Sequence, residues 1–320
     1  MKAAVYYENG GPEVLTYEDV PDPACAPDGV VIRVLAVSVE GGDVLSRFGQ
    51  RPAVTPHIVG YQAAGEIIEV GPRVEHLKVG EIVTTVAFAG SHAALRAVPA
   101  RLAWPVPAGF DPLKAAAIPV PFGTAHECLF DAGRLQPGET VLIQAGASGV
   151  GVAAIQLAKR AGARVLATAS SDERLERLKP LGLDAGINYR DEDVTAAVMK
   201  LTDNKGVDVV VDPVGGATLT SSIGALGYRG RLAVVGNAGR EPMVTDVGPL
   251  MPGNRTIRGV FLGAEILTGR IHDLIQQLID EAARGDLEVV LDKSFPLSEA
   301  AVAHAYIESR AAVGRVLLIP

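Results

Sequence analysis

In the second half of the chain, apolar residues come in short runs, each closed by glycine or polar residues. Val141-Leu142-Ile143 is one run, Ala163–Thr168 a second, Val207–Asp212 a third and Arg231–Val235 a fourth. Such lengths, rich in β-branched residues, predict strands buried on both faces. Ala185–Tyr189 predicts a further short strand, and Thr256–Leu262 a last one. Between the runs, apolar spacing predicts helices from Gly149 to Lys159, from Asp172 to Leu178 and from Asp191 to Leu201. Gly162 falls where a C-cap glycine belongs, and Ser170 with Glu173 predicts a capping box. Strand and helix alternate throughout, the pattern of a doubly wound parallel sheet. Thr140–Ala158 carries no charge. Its glycines and glutamines, and its place in the alternation, argue for strand, turn and helix rather than a membrane span.

The first part of the chain is different. Met1–Tyr7, Val30–Ser38, Ala63–Gly71 and Glu81–Val86 predict strands, separated by prolines and glycines that mark turns. Pro105, Pro107, Pro112, Pro119 and Pro121 crowd the passage into the second half. The last stretch returns to strand, helix and strand, and its terminal Val316–Ile319 is expected to pair within the β-rich part. The fold class is therefore α/β. A mostly β domain over residues 1–118 and 263–320 is interrupted by a Rossmann domain over residues 119–262.

The chemistry of the second half sits at Gln144–Gly151. Gly146, Gly149 and Gly151 remove side chains where the backbone turns tightly. The helix that follows offers free N–H groups and a partial positive charge. That corner suits a dinucleotide pyrophosphate, with a ligand-free tight turn as the competing explanation. The net charge of −8 from 29 basic and 37 acidic residues argues against a nucleic-acid groove. Cys25 and Cys128 are too few for a disulfide framework. Met1–Tyr7 lacks the apolar core of a signal peptide. Together these features predict a cytoplasmic enzyme of about two domains.

Met1-Lys-Ala-Ala4, Gly60-Tyr-Gln-Ala-Ala-Gly65, Val79-Gly-Glu-Ile-Val83, Thr124-Ala125, the Gly146–Gly151 turn, Asn188-Tyr-Arg190 and Ser294–Ala301 stand in a recognisable order. In these segments the chain resembles the zinc-free medium-chain dehydrogenase/reductases of the NADPH:quinone oxidoreductase type, the group that includes zeta-crystallin. The resemblance implies a GroES-like catalytic domain, a Rossmann domain, a cleft between them and hydride transfer from a nicotinamide. It implies cofactor contacts at Thr124, Gly146, Ser148, Gly149, Val150, Gly151, Ser170, Ser171, Arg174, Tyr189, Asn237, Phe261 and Arg315. It also implies a homodimer in which the last Rossmann strand pairs with its copy.

Three departures and matches refine that expectation. Where zinc-dependent relatives keep their metal ligands, this chain has Glu40, Tyr61 and Val120, so no metal is expected. At the end of the second Rossmann strand, Ala169 stands where an acid would hold a ribose 2′-hydroxyl. Ser170, Ser171, Arg174 and Tyr189 instead suit a 2′-phosphate, so NADPH is the expected cofactor, with Asp172 near enough to compete. The family segment Asn-x-x-Asp-x-x-x-Arg appears as Glu40, Asp43 and Arg47, with Leu45 where a tyrosine often sits. Tyr61, Asp43 and Arg47 are the candidate substrate residues. Tyr61 is read as a hydrogen-bond donor or pocket lining, and Asp43 with Arg47 as pocket residues or a structural ion pair. The acceptor is a quinone or an activated double bond, and a nucleotide-binding protein without turnover is the reading from another class.

Overall fold

The structure is a computed structural model and describes residues 1–49, 51–52 and 54–320. The chain divides into two units, Met1–Val120 with Gly263–Pro320, and Pro121–Leu262.

The first unit is built mainly of strands: β1 (Lys2–Tyr6), β2 (Thr16–Asp19), β3 (Gly29–Ser38), β4 (His57–Ile58), β5 (Gln62–Val70), β6 (Ile82–Val86), β7 (Leu95–Pro99) and β8 (Ala103–Pro105). Helices α1 (Gly41–Gly49), α2 (Pro112–Ala115) and the start of α3 (Pro119–His126) follow from it. β3, β5, β6 and β8 pair antiparallel in that order, with β7 also on β3. Alternate residues of these strands, including Val30, Ile32, Ile67 and Val83, meet in one buried apolar cluster. That inward-facing alternation explains why the pattern was readable from sequence.

The second unit holds β9 (Thr140–Ile143), α4 (Gly149–Arg160), β10 (Arg164–Ala169), α5 (Asp172–Leu178), β11 (Ala185–Asn188), α6 (Val194–Leu201), β12 (Val207–Asp212), α7 (Thr218–Ala225), β13 (Leu226–Val234) and β14 (Thr256–Gly259). The sheet order is β11–β10–β9–β12–β13–β14, and every pairing is parallel. This is the 3-2-1-4-5-6 order of the Rossmann fold. Val141, Leu142, Ile143, Val209, Val210 and Val211 have no solvent exposure, as strands covered on both faces require. After the short α8 (Leu262–Glu265), the chain returns through α9 (Gly269–Ala283), β15 (Leu291–Pro296), α10 (Ala300–Glu308) and β16 (Arg315–Ile319). β16 pairs with β3, so the terminal run joins the β-rich unit as expected. Among the described residues, no helix is long and apolar enough to cross a membrane.

Three local expectations need correction. The helix expected from Asp191 begins at Val194, because Asp193 is the residue that caps it, accepting from the Ala196 N–H at 2.7 Å. The capping box on Ser170 does not form. Ser171 is the N-cap and makes no side-chain cap bond, while Ser170 Oγ accepts from Arg174. The last strand stops at Gly259 rather than Leu262. Val260 is half-buried, Leu262 turns inward, and Phe261 is left 67% exposed beyond the strand.

Candidate functional site

In the Rossmann unit, the glycine turn is shaped by close packing. A Cβ on Gly151 would lie 2.5 Å from the Ala145 carbonyl oxygen and 2.6 Å from that of Gly146. A Cβ on Gly146 would lie 2.7 Å from the Ala167 methyl. Both glycines therefore let α4 and β10 approach the turn, as the sequence pattern requires. Ser148 caps α4, its Oγ accepting from the Gly151 N–H at 3.1 Å. The N–H groups of Gly149 and Val150, at the open end of the helix, need acceptors from outside it. That end also carries the positive end of the helix dipole, so it favours a phosphate.

At the carboxyl end of β10, Ala169 is the last strand residue, and no acid occupies the position that would hold a 2′-hydroxyl. Arg174 Nη1 donates to Ser170 Oγ at 2.8 Å, which fixes the guanidinium beside the strand end. Tyr189 is anchored next to it, its N–H donating to the Ala169 carbonyl at 3.2 Å. Asp172, the nearby acid, sits in the first turn of α5, where the dipole favours it. Asn188 Nδ2 donates to Asp172 Oδ1 at 3.3 Å and to Asp191 Oδ2 at 2.5 Å. Ser171, Arg174 and Tyr189 thus gather with Ser170 at one strand end. Thr124 is buried on α3. Asn237 follows β13, and its buried Oδ1 has no hydrogen-bond partner among the described residues, while its Nδ2 donates to the Glu241 carbonyl at 2.9 Å.

In the first unit, Tyr61 is held at three points. Its N–H donates to Asp43 Oδ1 at 3.1 Å, and its carbonyl accepts from Arg96 Nη2 at 2.8 Å. Its hydroxyl lies 3.0 Å from Ser46 Oγ. The ring packs against the start of α1, where a Cβ on Gly42 would come within 2.3 Å of it. Burial pushes the Tyr61 phenol above its ordinary value, partly offset by Ser46. Ser46, Gly42 and Arg96 were not singled out from sequence. The i, i+4 spacing of Gly42 and Ser46, which puts them on one helix face, was the signal available.

Asp43 and Arg47 do not serve each other. Asp43 accepts from the Glu40 N–H at 2.8 Å as well as from Tyr61, whereas buried Arg47 pairs with Glu308. Burial first, and then the neighbouring Glu40, push the Asp43 carboxyl up to about 8. Glu40 carries a buried ion pair with Arg315 and accepts from Gln62 and Ser38. Arg315 also donates to Ser38 Oγ at 2.9 Å. Arg315, expected at the cofactor, is thus engaged by Glu40 inside the β-rich unit.

Comparisons with known proteins agree with the fold. Residues 26–108 match the alcohol dehydrogenase GroES-like domain, and residues 149–284 match the zinc-binding dehydrogenase family. The chain is 33% identical, over 338 aligned positions, to a 2-haloacrylate reductase of Burkholderia sp, covering 100% of this chain and 99% of that one. It is also 33% identical to a quinone oxidoreductase of Pseudomonas aeruginosa, covering 97% of each. The crystal structure of Escherichia coli quinone oxidoreductase complexed with NADPH matches with a TM-score of 0.95 at 29% identity, covering 100% of both chains. Whole-length relatives, a GroES-like domain and a Rossmann sheet with its glycine turn identify the protein as a member of the medium-chain dehydrogenase/reductase family, beside its quinone oxidoreductases.

Proposed function

We propose that the protein is an NADPH-dependent, zinc-independent reductase that passes hydride to a quinone. The observation that carries this reading is the substitution of the metal site by Glu40, Tyr61 and Val120. Glu40 is already engaged by Arg315, Gln62 and Ser38, and the Tyr61 hydroxyl is turned to Ser46. Val120 offers no ligating side-chain atom. A zinc site needs three protein ligands converging on one ion. These residues do not fit zinc, and no step here runs through a metal.

NADPH, when bound, supplies the hydride. Gly146, Ser148, Gly149, Val150 and Gly151 receive its pyrophosphate at the α4 N-terminus. Ser170, Ser171, Arg174 and Tyr189 receive the 2′-phosphate. Asn237 Oδ1, buried without a partner, is an acceptor suited to an amide N–H, and Thr124 completes the cofactor contacts. Reducing a quinone builds negative charge on a carbonyl oxygen, and without a metal a hydrogen-bond donor must stabilise it. Tyr61 is that donor: its hydroxyl lies 3.0 Å from Ser46 Oγ and donates at 3.4 Å to the Gly42 carbonyl, a long bond that a substrate carbonyl oxygen would replace. Asp43 is a positioning residue that fixes the Tyr61 backbone. Tyr61→Phe is expected to lower kcat roughly ten- to a hundredfold with little change in the NADPH Kd. Steady-state kinetics with a small quinone, beside NADPH titrations, checks this. An unchanged kcat would remove Tyr61 from the chemistry.

A second reading is reduction of an activated carbon–carbon double bond. The full-length relative named 2-haloacrylate reductase supports it, as does Glu40 in place of the family asparagine. The same charge develops on a conjugated carbonyl oxygen, so Tyr61 keeps its role.

We also propose a homodimer. β14 is the edge of the Rossmann sheet, and all four of its residues are exposed. An open edge is a template for pairing, and a two-fold contact is the commonest way to close it. The Val260 N–H is spent inward, donating to the Val234 carbonyl at 2.8 Å. Because N–H groups alternate sides along a strand, Ile257 and Gly259 present theirs outward. Proline at Val260 would therefore break the subunit's own sheet. Ile257→Pro removes an outward donor instead and is expected to weaken the dimer. Sedimentation velocity at micromolar concentration reads the result. A monomeric wild type, or an unchanged dimer in the variant, would exclude this interface.

A further inference from the structure

A chain of buried polar side chains crosses the Rossmann sheet where its order reverses. β9 and β12 are neighbours there, with β10 on the other side of β9. In open parallel sheets, the crevice outside the carboxyl ends of the strands at that point takes the ligand. Gln144 follows β9, Thr168 lies in β10, Asp212 ends β12 and Ser222 lies on α7. All four are at most 2% exposed.

Their hydrogen bonds form one continuous line. The Ala145 N–H donates to Thr168 Oγ1 at 3.0 Å, and Thr168 Oγ1 donates to Gln144 Oε1 at 2.8 Å. Gln144 Nε2 donates to Ser222 Oγ at 3.1 Å, and Ser222 Oγ donates to Asp212 Oδ2 at 2.8 Å. The N–H groups of Val214 and Gly215 close on Asp212 Oδ1 at 2.8 and 3.0 Å. The direction of every bond is forced. A backbone N–H at one end can only donate, and a carboxylate at the other can only accept. The two hydroxyls and the Gln144 amide therefore have a single consistent arrangement.

Both ends of the line lie in left-handed backbone. Ala145 has φ +50°, unusual for a residue with a Cβ, and Gly215 and Gly216 have φ +70° and +55°. The first end is the pyrophosphate turn. The second lies beside Asn237, whose Oδ1 would be 3.1 Å from a Cβ on Gly215.

We propose that Gln144 and Ser222 are positioning residues that tie the pyrophosphate turn to the Gly215–Gly216 turn. The tie holds the Asn237 side of the cofactor site in register with its phosphate side. The inference rests on the NADPH reading above and deepens it. A network that only stabilises the fold would affect every ligand of this unit alike.

Ser222→Ala cuts the line between Gln144 and Asp212 but leaves Thr168 on the pyrophosphate turn. Calorimetric titration with NADPH and with 2′-phospho-ADP-ribose, which lacks the nicotinamide, separates the two ends. For Ser222→Ala, NADPH affinity is expected to fall about tenfold and fragment affinity by less than about twofold. Gln144→Leu, which cuts the same line from the other strand, is expected to give the same split. Equal losses for both ligands, or no loss for either, would overturn the proposal. A wild type that binds neither ligand would overturn the cofactor reading and the tie together. A wild type that binds both ligands, with no split in either variant, would overturn the tie and leave that reading standing.

Discussion

Arg315→Met is expected to destabilise the β-rich unit by about 3–5 kcal/mol, the usual cost of leaving one member of a buried ion pair alone. Glu40 and Arg315 are both largely buried, and Ser38 and Gln62 complete the set around them. The pair joins β16 to the segment between β3 and α1. Burial holds the Glu40 carboxyl above its ordinary value, and Arg315 is the strongest influence pulling it back. A raised folded-state value means that the proton-bound form is favoured on folding. Its contribution to stability is fullest at low pH and is lost as pH rises through the folded value. Removing Arg315 raises that value further, so the destabilisation should deepen from acidic to neutral pH. The double variant Arg315→Met/Glu40→Gln leaves no lone charge and is expected to recover most of the loss. Trp104, the single tryptophan and fully buried in the same unit, reports the urea transition. A change below about 1 kcal/mol, as exposed pairs give, would mean that the pair is solvated.

Arg174→Ala is expected to weaken NADPH roughly ten- to a hundredfold and NADH by less than about twofold. The removed contact is a charged hydrogen bond worth about 1.5–3 kcal/mol, and only the 2′-phosphate can receive it. The guanidinium is already held by Ser170, so little freedom is lost when a phosphate arrives. Asp172 does not reverse the preference, because its carboxylate is engaged by the Asn188 side-chain amide. Fluorescence titration of both cofactors checks the prediction. Equal losses, or a wild type that prefers NADH, would contradict it.

The Rossmann half was legible because its strands are short and apolar on both faces, and because glycine stands where packing forbids a Cβ. Val207–Asp212 reads correctly for that reason, and Asp172–Leu178 because Leu175 and Leu178 fall three apart on one buried helix face. Boundaries decided by a single side chain did not. Asp193 rather than Asp191 starts α6, since only one aspartate oxygen meets the Ala196 N–H. The end of β14 was hidden because Val260, Phe261 and Leu262 look alike in sequence but take different environments. The polar residues that organise the site were harder still. Gln144, Thr168, Asp212 and Ser222 are separated by up to 78 positions and meet only through strand order. Glu40 could be seen to replace a metal ligand, but its partner Arg315 lies 275 residues away. Arg47 and Asp43 are one helical turn apart, yet Glu308 and two backbone N–H groups claim them separately.

Metal-free hydride transfer from NADPH to a quinone is measured by mixing the purified protein anaerobically with NADPH and a small 1,4-benzoquinone, in the presence of a metal chelator. The expected result is quinone-dependent loss of NADPH absorbance, faster than with NADH, faster than with a simple enone and unaffected by the chelator. Turnover of the enone without the quinone would transfer the activity to the double-bond reading. NADPH binding with no oxidation by either acceptor would contradict the assignment of a reductase.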